Sequence, residues 1–212
     1  MNLFIINEIV RKPNIAFEKI SQNPQYFRLS VILFSIACFA SFFTEISALF
    51  FQSSYGLREI PNLIPHVVNF GGIVLSNFVM ILIIFYVGRK LGGNTNFRQI
   101  FSSMSFCLIP VIIGAIILSS STMLYSFSIL SYDELSPSYA SDFMLSPPML
   151  GNFIIVPFFL WSVILYFKSI KITNNFTNSK TIITLVLAFL VTSLTSMLYD
   201  LGTSFPLRLM SH

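Results

Sequence analysis

Residues 67–88, with the sequence VVNFGGIVLSNFVMILIIFYVG, carry no charged side chain and end against Arg89 and Lys90. About 20 predominantly apolar residues are enough for a helix to cross the hydrocarbon core of a bilayer. Four further segments have this character or come close to it, at residues 29–51, 100–124, 149–167 and 181–201. The sequence therefore predicts an all-α, polytopic membrane bundle with five transmembrane helices over residues 29–204 and a short tail over residues 205–212.

The composition separates this chain from soluble proteins. Hydrophobic residues occupy 55% of its 212 positions and charged residues only 9%, whereas roughly a quarter of a soluble domain is charged. Phenylalanine alone occurs 24 times, and lipid accepts such side chains on the outside of helices. The basic residues lie between apolar blocks and form no continuous run, so the expected partner is the lipid bilayer and not a nucleic acid.

Lysine and arginine are divided unequally between the two ends of the predicted spans. Ten of the twelve lie before span one, between spans two and three, or between spans four and five, which is one side of a five-span protein. The other side carries Arg58, Arg208 and the longest loop, residues 126–148, which is rich in serine, proline and acidic residues. The positive-inside rule then predicts a cytoplasmic N-terminus and an external C-terminus. The membrane is the plasma membrane if the chain is prokaryotic, and the Golgi or endoplasmic reticulum if it is eukaryotic.

Residues 1–28, before the first span, show an amphipathic pattern. Apolar side chains recur there at three- and four-residue spacing, at Ile6, Ile9, Val10, Pro13, Ala16, Phe17 and Ile20. Because proline is tolerated only in the first turn of a helix, Pro13 predicts two short helices. Two placements stay open: the helices lie in the inner membrane surface, or they pack against the end of the bundle. Asn23 and Pro24 form an N-cap signal that begins the helix of span one.

Two acidic residues, Glu45 and Asp200, fall inside predicted spans. Ionisable side chains within a membrane indicate a functional site by default, so a proton or cation site is one interpretation. At about 1.5 Å per residue, however, Glu45 comes near the outer rim of a hydrocarbon core about 30 Å thick, and Asp200 reaches a similar depth. The alternatives are that the two acids reach water or pair with Arg58 or Arg208, or that they contact a partner protein.

Pro110 and Pro157 are predicted to break the helices of spans three and four. Each removes one helical hydrogen bond and frees a carbonyl one turn earlier, on Phe106 and Phe153. Such breaks form ion sites in transporters, and they also bend helices for packing.

Catalytic signatures are missing from the sequence. It contains no GxSxG, HExxH or phosphate-binding glycine loop, and its histidines, His66 and His212, fall in predicted outer loops. Cys38 and Cys107 lie in apolar segments without metal-ligand spacing, which is typical of packed thiols. We therefore expect no catalytic residue, no cofactor and no metal, and a protein that is not an enzyme.

Several short motifs, in their order along the chain, resemble those of the Yip1 domain family of five-span membrane proteins. The resemblance covers nearly the whole sequence. It rests on residues 13–20 (PNIAFEKI) with Asn23 and Pro24 after them, on a Leu-Gly-Gly-x-x-x-Phe loop formed by Leu91, Gly92, Gly93 and Phe97, on Pro110 within the following span, on residues 161–165 (WSVIL), and on Ser179 and Lys180 before span five.

The chemistry of the loop motif suits a helix end at the membrane surface. Gly92 and Gly93 accept the positive φ of a helix C-cap. Phe97 is expected to re-enter the membrane interface, with Arg98 facing cytoplasmic phosphates.

The resemblance implies a non-enzymatic scaffold or adaptor. Eukaryotic members act in vesicle trafficking between early secretory compartments and bind prenylated Rab GTPases and each other. Small GTPases, other membrane proteins and further copies of the chain are thus the implied partners. Only about 28 residues precede span one here, which is similar to prokaryotic members and not to the long cytosolic region of eukaryotic ones. The alternative is a small transporter or channel subunit that uses Glu45, Asp200 and the two prolines.

The predicted orientation can be tested by labelling single cysteines in intact cells. With Cys38 and Cys107 replaced by alanine, we expect Ser138→Cys to react with a membrane-impermeant maleimide from outside. Ser179→Cys should react only after the membrane is permeabilised, because it lies on the positively charged side. The opposite pattern would reverse the topology.

Overall fold

The computed structural model describes residues 3–54, 64–130 and 147–209, and these are helical except at short connections. The helices are α1 (Leu3–Arg11), α2 (Pro13–Gln22), α3 (Tyr26–Ser54), α4 (Ile64–Lys90), α5 (Phe97–Phe106), α6 (Ile109–Leu130), α7 (Pro147–Thr173) and α8 (Asn178–Leu209). Within the described part, five helical stretches are long and apolar enough to cross a membrane. The predicted all-α polytopic bundle is therefore confirmed. Most of the predicted loop 126–148 lies outside the described residues.

The N-terminal segment forms two short helices that pack against the bundle. Pro13 occupies the first position of α2, where its missing N–H costs no hydrogen bond. Ile5 and Ile9 of α1 are fully buried, as are Ala16, Phe17 and Ile20 of α2. α2 contacts both α5 and α7. Most of the amphipathic face predicted from the sequence is thus buried against the protein, but Val10, which was assigned to that face, is exposed.

The first span begins two residues after the start predicted from Asn23 and Pro24. The Asn23 side-chain oxygen accepts a hydrogen bond from the Gln25 N–H at 2.9 Å. The chain turns through Pro24 and Gln25, and regular α-helix begins at Tyr26. Asn23 therefore ends α2 and stabilises the turn before α3, and the predicted helix start at Pro24 is two residues early.

The third span, α5 followed by α6, forms the centre of the bundle. In its most apolar window 72% of the residues are buried, against 17–28% in the other four spans, so neighbouring helices surround it. Every residue from Ile100 to Phe106 is buried. α3 and α7 pack against this span on different sides, and α4 pairs mainly with α8.

The third span is interrupted just before Pro110. The Cys107 and Leu108 N–H groups bond to carbonyls three residues earlier, and α6 begins at Ile109. The Cys107 carbonyl accepts a hydrogen bond from the Ser162 hydroxyl of α7 at 2.7 Å. In span four, by contrast, α7 continues through Pro157. That proline therefore removes one hydrogen bond without ending its helix.

Small residues and hydroxyl groups contribute to the contacts between spans. Thr44 of α3 and Ser119 of α6 are hydrogen-bonded at 3.0 Å. Ser76 of α4 and Ser196 of α8 are hydrogen-bonded at 2.8 Å. Because lipid tails are as apolar as leucine, close packing and such polar contacts are what hold membrane helices together.

Gly72 of α4 allows the closest approach to α8. A Cβ atom built on Gly72 would lie 2.7 Å from Cε1 of Tyr199. The Tyr199 ring cannot retreat freely, because its hydroxyl donates to the Val68 carbonyl at 2.5 Å.

We expect Gly72→Ala to lower the free energy of unfolding by about 1–3 kcal/mol, the usual cost of overpacking. The matched control is Gly202→Ala in α8, where the added Cβ meets no atom within 4 Å. That control should be neutral, or stabilising by up to about 1 kcal/mol through helix propensity. Denaturation of the purified variants in a mild detergent measures both changes. Equal effects would show that α4 and α8 do not meet at Gly72.

Candidate functional site at the basic face

We call one end of the bundle the basic face. It is formed by α1, α2, residues 91–96 between α4 and α5, and residues 174–177 between α7 and α8. The ten lysine and arginine residues that the sequence places on one side lie on or near the elements of this end.

The glycine motif ends α4 in a Schellman turn. Gly92 has φ +93°, a conformation that suits glycine. The Gly93 N–H bonds to the Gly88 carbonyl at 2.9 Å, and the Gly92 N–H bonds to the Arg89 carbonyl at 3.2 Å. This pair of bonds satisfies carbonyls that a helix end would otherwise leave open.

A second Schellman turn ends α7. Here Asn175 takes the left-handed conformation, with φ 54°. The Phe176 N–H bonds to the Lys171 carbonyl at 2.9 Å, and the Asn175 N–H bonds to the Ile172 carbonyl at 3.3 Å. Two helix ends with the same hydrogen-bond pattern therefore stand side by side at the basic face.

Asn174 joins the two turns. Its side-chain oxygen accepts a hydrogen bond from the Thr95 hydroxyl, and its amide donates to the Ile170 carbonyl at 3.2 Å. A Cβ atom on Gly93 would lie 2.5 Å from the Asn174 oxygen, and one on Gly88 would lie 3.1 Å from it. The two glycines thus leave the space that the Asn174 side chain fills.

The rest of the motif anchors α5. Asn96 and Gln99 form a reciprocal capping box at its N-terminus. Phe97 packs in a ring cluster with Phe78 and Phe85 of α4 and with Phe101. The start of the third span is therefore held to the end of α4.

Two basic side chains at the basic face donate hydrogen bonds to backbone carbonyls of neighbouring segments. Arg98 donates to the Pro24 carbonyl at 3.0 Å and lies over the Phe27 ring. Lys180 donates to the Leu91 carbonyl at 2.8 Å and lies 5.7 Å from the centre of the Phe176 ring. Both cations therefore bind the protein's own carbonyls, although Arg98 was expected to face lipid phosphates.

A polar cavity of about 950 Å³ opens between these elements. Its lining is mostly amide, hydroxyl and charged side chains from α2, the two loops and the adjoining helix ends: Glu18, Ser21, Gln22, Asn94, Thr95, Gln99, Lys171, Thr173, Asn174, Asn175 and Lys180. Of the glycine motif, Gly92 lines this cavity, whereas Leu91 and Phe97 pack against the hydrophobic core.

The two intramembrane acids are not brought together. Glu45 of α3 accepts a hydrogen bond from Asn69 of α4, and its carboxylate oxygen lies 3.3 Å from Nδ1 of His66. Asp200 is exposed on α8, and no described contact joins it to Glu45. Arg58 and the Arg208 side chain, the predicted partners, lie outside the described residues.

His66 differs from the sequence expectation. It was expected in an outer loop, but α4 begins at Ile64 and includes it. Pro65 explains the earlier start, because proline is favoured in the first turn of a helix. The polar residues nearest to Glu45 are therefore on α4, one helix away, and not in a loop.

Asn174, Thr95 and Ser162 were missed by the sequence reading. A signal existed for the first of them, since two asparagines after an apolar helix are typical of a C-cap. Nothing local indicated Thr95 or Ser162, because each bonds a group more than fifty positions away along the chain.

We expect Asn174→Ala to destabilise the protein by about 1–3 kcal/mol, because the buried Thr95 hydroxyl loses its acceptor. Asn175→Gly is the control: it changes the neighbouring residue, whose φ of 54° glycine adopts without strain. Its effect should stay within about 0.5 kcal/mol. Detergent denaturation followed by circular dichroism measures both. A harmless Asn174→Ala would remove the proposed link between the two loops.

Comparison with known proteins gives one match. The family model described as Yip1 domain matches residues 7–199, which covers most of α1, the first four spans and most of the fifth. No curated protein matches the chain, and no solved structure matches it.

Proposed function

The chain belongs to the Yip1 domain family, and from this premise we propose that it is a non-enzymatic membrane scaffold that recruits partner proteins at its basic face. The family match supports a multi-pass membrane protein directly, and the adaptor role extends it. Candidate partners are other membrane proteins, small GTPases and further copies of the chain.

The packing of the third span is the observation that carries this proposal. The third span occupies the middle of the bundle, and 72% of the residues in its most apolar stretch are buried. Its polar groups bond to neighbouring helices: the Ser119 hydroxyl to Thr44 of α3, and the Cys107 carbonyl to the Ser162 hydroxyl of α7. A packed centre with hydroxyls directed at carbonyls favours a rigid support over a permeation path.

The alternative of a transporter or channel subunit has less support from the same contacts. Glu45 is engaged by His66 and Asn69 at the end of the bundle opposite the basic face. Asp200 faces outward on α8 and has no described contact with Glu45. The two acids therefore share no site with each other or with Pro110.

We propose that the basic face is cytoplasmic. Ten of the twelve lysine and arginine residues lie on or near its segments, and the positive-inside rule assigns such a side to the cytoplasm. The exposed side of α1 and α2 combines apolar and basic groups: Phe4, Val10 and Ile15 are 69%, 54% and 45% exposed, and Arg11 and Lys12 lie among them. Apolar side chains rimmed by charges suit a protein-binding surface.

Recruitment can be tested by purification of the tagged full chain in a mild detergent. We expect a reproducible set of membrane proteins to co-purify, and Phe4→Ser with Val10→Ser to reduce their yield about fivefold or more, because exposed apolar anchors dominate such interfaces. The control is Leu194→Ser with Leu198→Ser, which changes leucines that are 58% and 69% exposed on α8. Recovery of the chain alone, with unaltered membrane morphology in a deletion strain, would refute the adaptor role.

A further inference from the structure

The cavity at the basic face presents both signs of charge on separate elements. Glu18 lines it from α2, Lys171 from the last turn of α7, and Lys180 from the first turn of α8. Among the described side chains, ion pairs join Lys19 to Glu8 and His66 to Glu45, and neither involves Glu18 or Lys171. Lys180 gives one hydrogen bond to Leu91, and its ammonium has further donors. These charges are therefore available to a bound molecule.

The arrangement of charge selects the ligand. A simple anion would meet the Glu18 carboxylate, and a simple cation would meet the two lysines. A small group that carries one phosphate and one ammonium can pair with both kinds of charge. Its phosphate accepts charge-assisted hydrogen bonds from the lysines, and its ammonium donates them to Glu18. An ammonium with N–H donors also serves Glu18 better than a quaternary ammonium, which has none.

The depth of the cavity indicates where such a group comes from. The lining residues lie at the ends of α4 and α7 and at the starts of α5 and α8, where the chain passes from spans to connecting loops. This is the level of the lipid headgroups for a protein of this topology. The volume of about 950 Å³ exceeds that of a single headgroup, so the cavity has room for one.

We infer that the cavity binds a phosphoethanolamine group, as carried by the headgroup of phosphatidylethanolamine. Lys171 and Lys180 hold the phosphate, Glu18 holds the ammonium, and neutral donors such as Asn94 and Gln99 complete the site. Basic pockets between membrane helices are known headgroup sites, and here the single carboxylate adds selectivity for a zwitterion.

The inference rests on the proposed membrane-surface position of the basic face but not on partner recruitment. Lipid binding by the purified chain, without any other protein, is therefore a separate measurement from co-purification. If lipid binds and no partner is found, the adaptor role fails alone; if partners bind and lipid does not, the headgroup site fails alone.

The test is titration of the detergent-purified chain with phosphatidylethanolamine, phosphatidylcholine and phosphatidylglycerol, followed by native mass spectrometry. We expect phosphatidylethanolamine to bind most tightly. Lys171→Gln should weaken it about fivefold, as the loss of one charge-assisted hydrogen bond does. Lys168→Gln is the matched control, because it removes the same charge one turn earlier on α7, outside the cavity lining.

Glu18→Gln gives the sharper result. It should weaken phosphatidylethanolamine and leave or improve phosphatidylglycerol, so that the preference between the two lipids disappears. Lys171→Arg keeps the positive charge and should retain binding, which separates a lost charge from a misfolded chain. A soluble arm uses O-phosphoethanolamine: binding of this compound without binding of the lipid would assign the same chemistry to a soluble ligand.

Two outcomes would overturn the inference. One is equal binding of the three lipids by the wild type with no binding of O-phosphoethanolamine. The other is unchanged phosphatidylethanolamine binding in both Glu18→Gln and Lys171→Gln, with melting temperatures equal to that of the wild type.

Discussion

A helix that is interrupted inside a membrane must find hydrogen-bond partners within the protein, because lipid offers none. The third span meets this constraint at Cys107 and Leu108, where the chain leaves the α-helix before Pro110. The Ser162 hydroxyl of α7 donates a hydrogen bond to the Cys107 carbonyl. An interruption of this kind is tolerated only in the interior, so the burial of α5 and the placement of α3 and α7 around it follow from the same requirement.

The side chains between spans show how the bundle coheres without a hydrophobic driving force. Where helices approach closely, a glycine lies on one of them, as Gly72 does against Tyr199 and Gly114 against Phe158. Elsewhere a hydroxyl bonds across the gap, as Thr44 does to Ser119. The apolar residues that dominate the composition face outward in large numbers and supply solubility in lipid, while the few small and polar residues determine which helices meet.

The features that could be predicted from the sequence are those that depend on the residue pattern within one segment. Apolar length predicted the spans, Pro13 predicted two N-terminal helices, and glycine chemistry predicted the end of α4 at Gly92. Contacts between residues that are far apart in the sequence could not be predicted in this way. For Glu45 the sequence left open water, Arg58 or Arg208, a cation and a partner protein, and it did not indicate the histidine and the asparagine on α4 that are its described neighbours. The role of Asn174 was hidden for the same reason, since its partner Thr95 belongs to another loop.

The link through Asn174 explains how a surface of loops can act as a defined site. Each Schellman turn fixes the end of one helix, and the shared asparagine fixes the two ends relative to each other. Lys180, at the start of α8, fixes a third helix to this arrangement, because its ammonium donates a hydrogen bond to Leu91 in the α4–α5 loop. The cavity walls are therefore set by helices that the bundle already holds in place. A site ordered before its ligand arrives loses little conformational entropy on binding, and this order supports the proposed discrimination between headgroups by only a few charged groups.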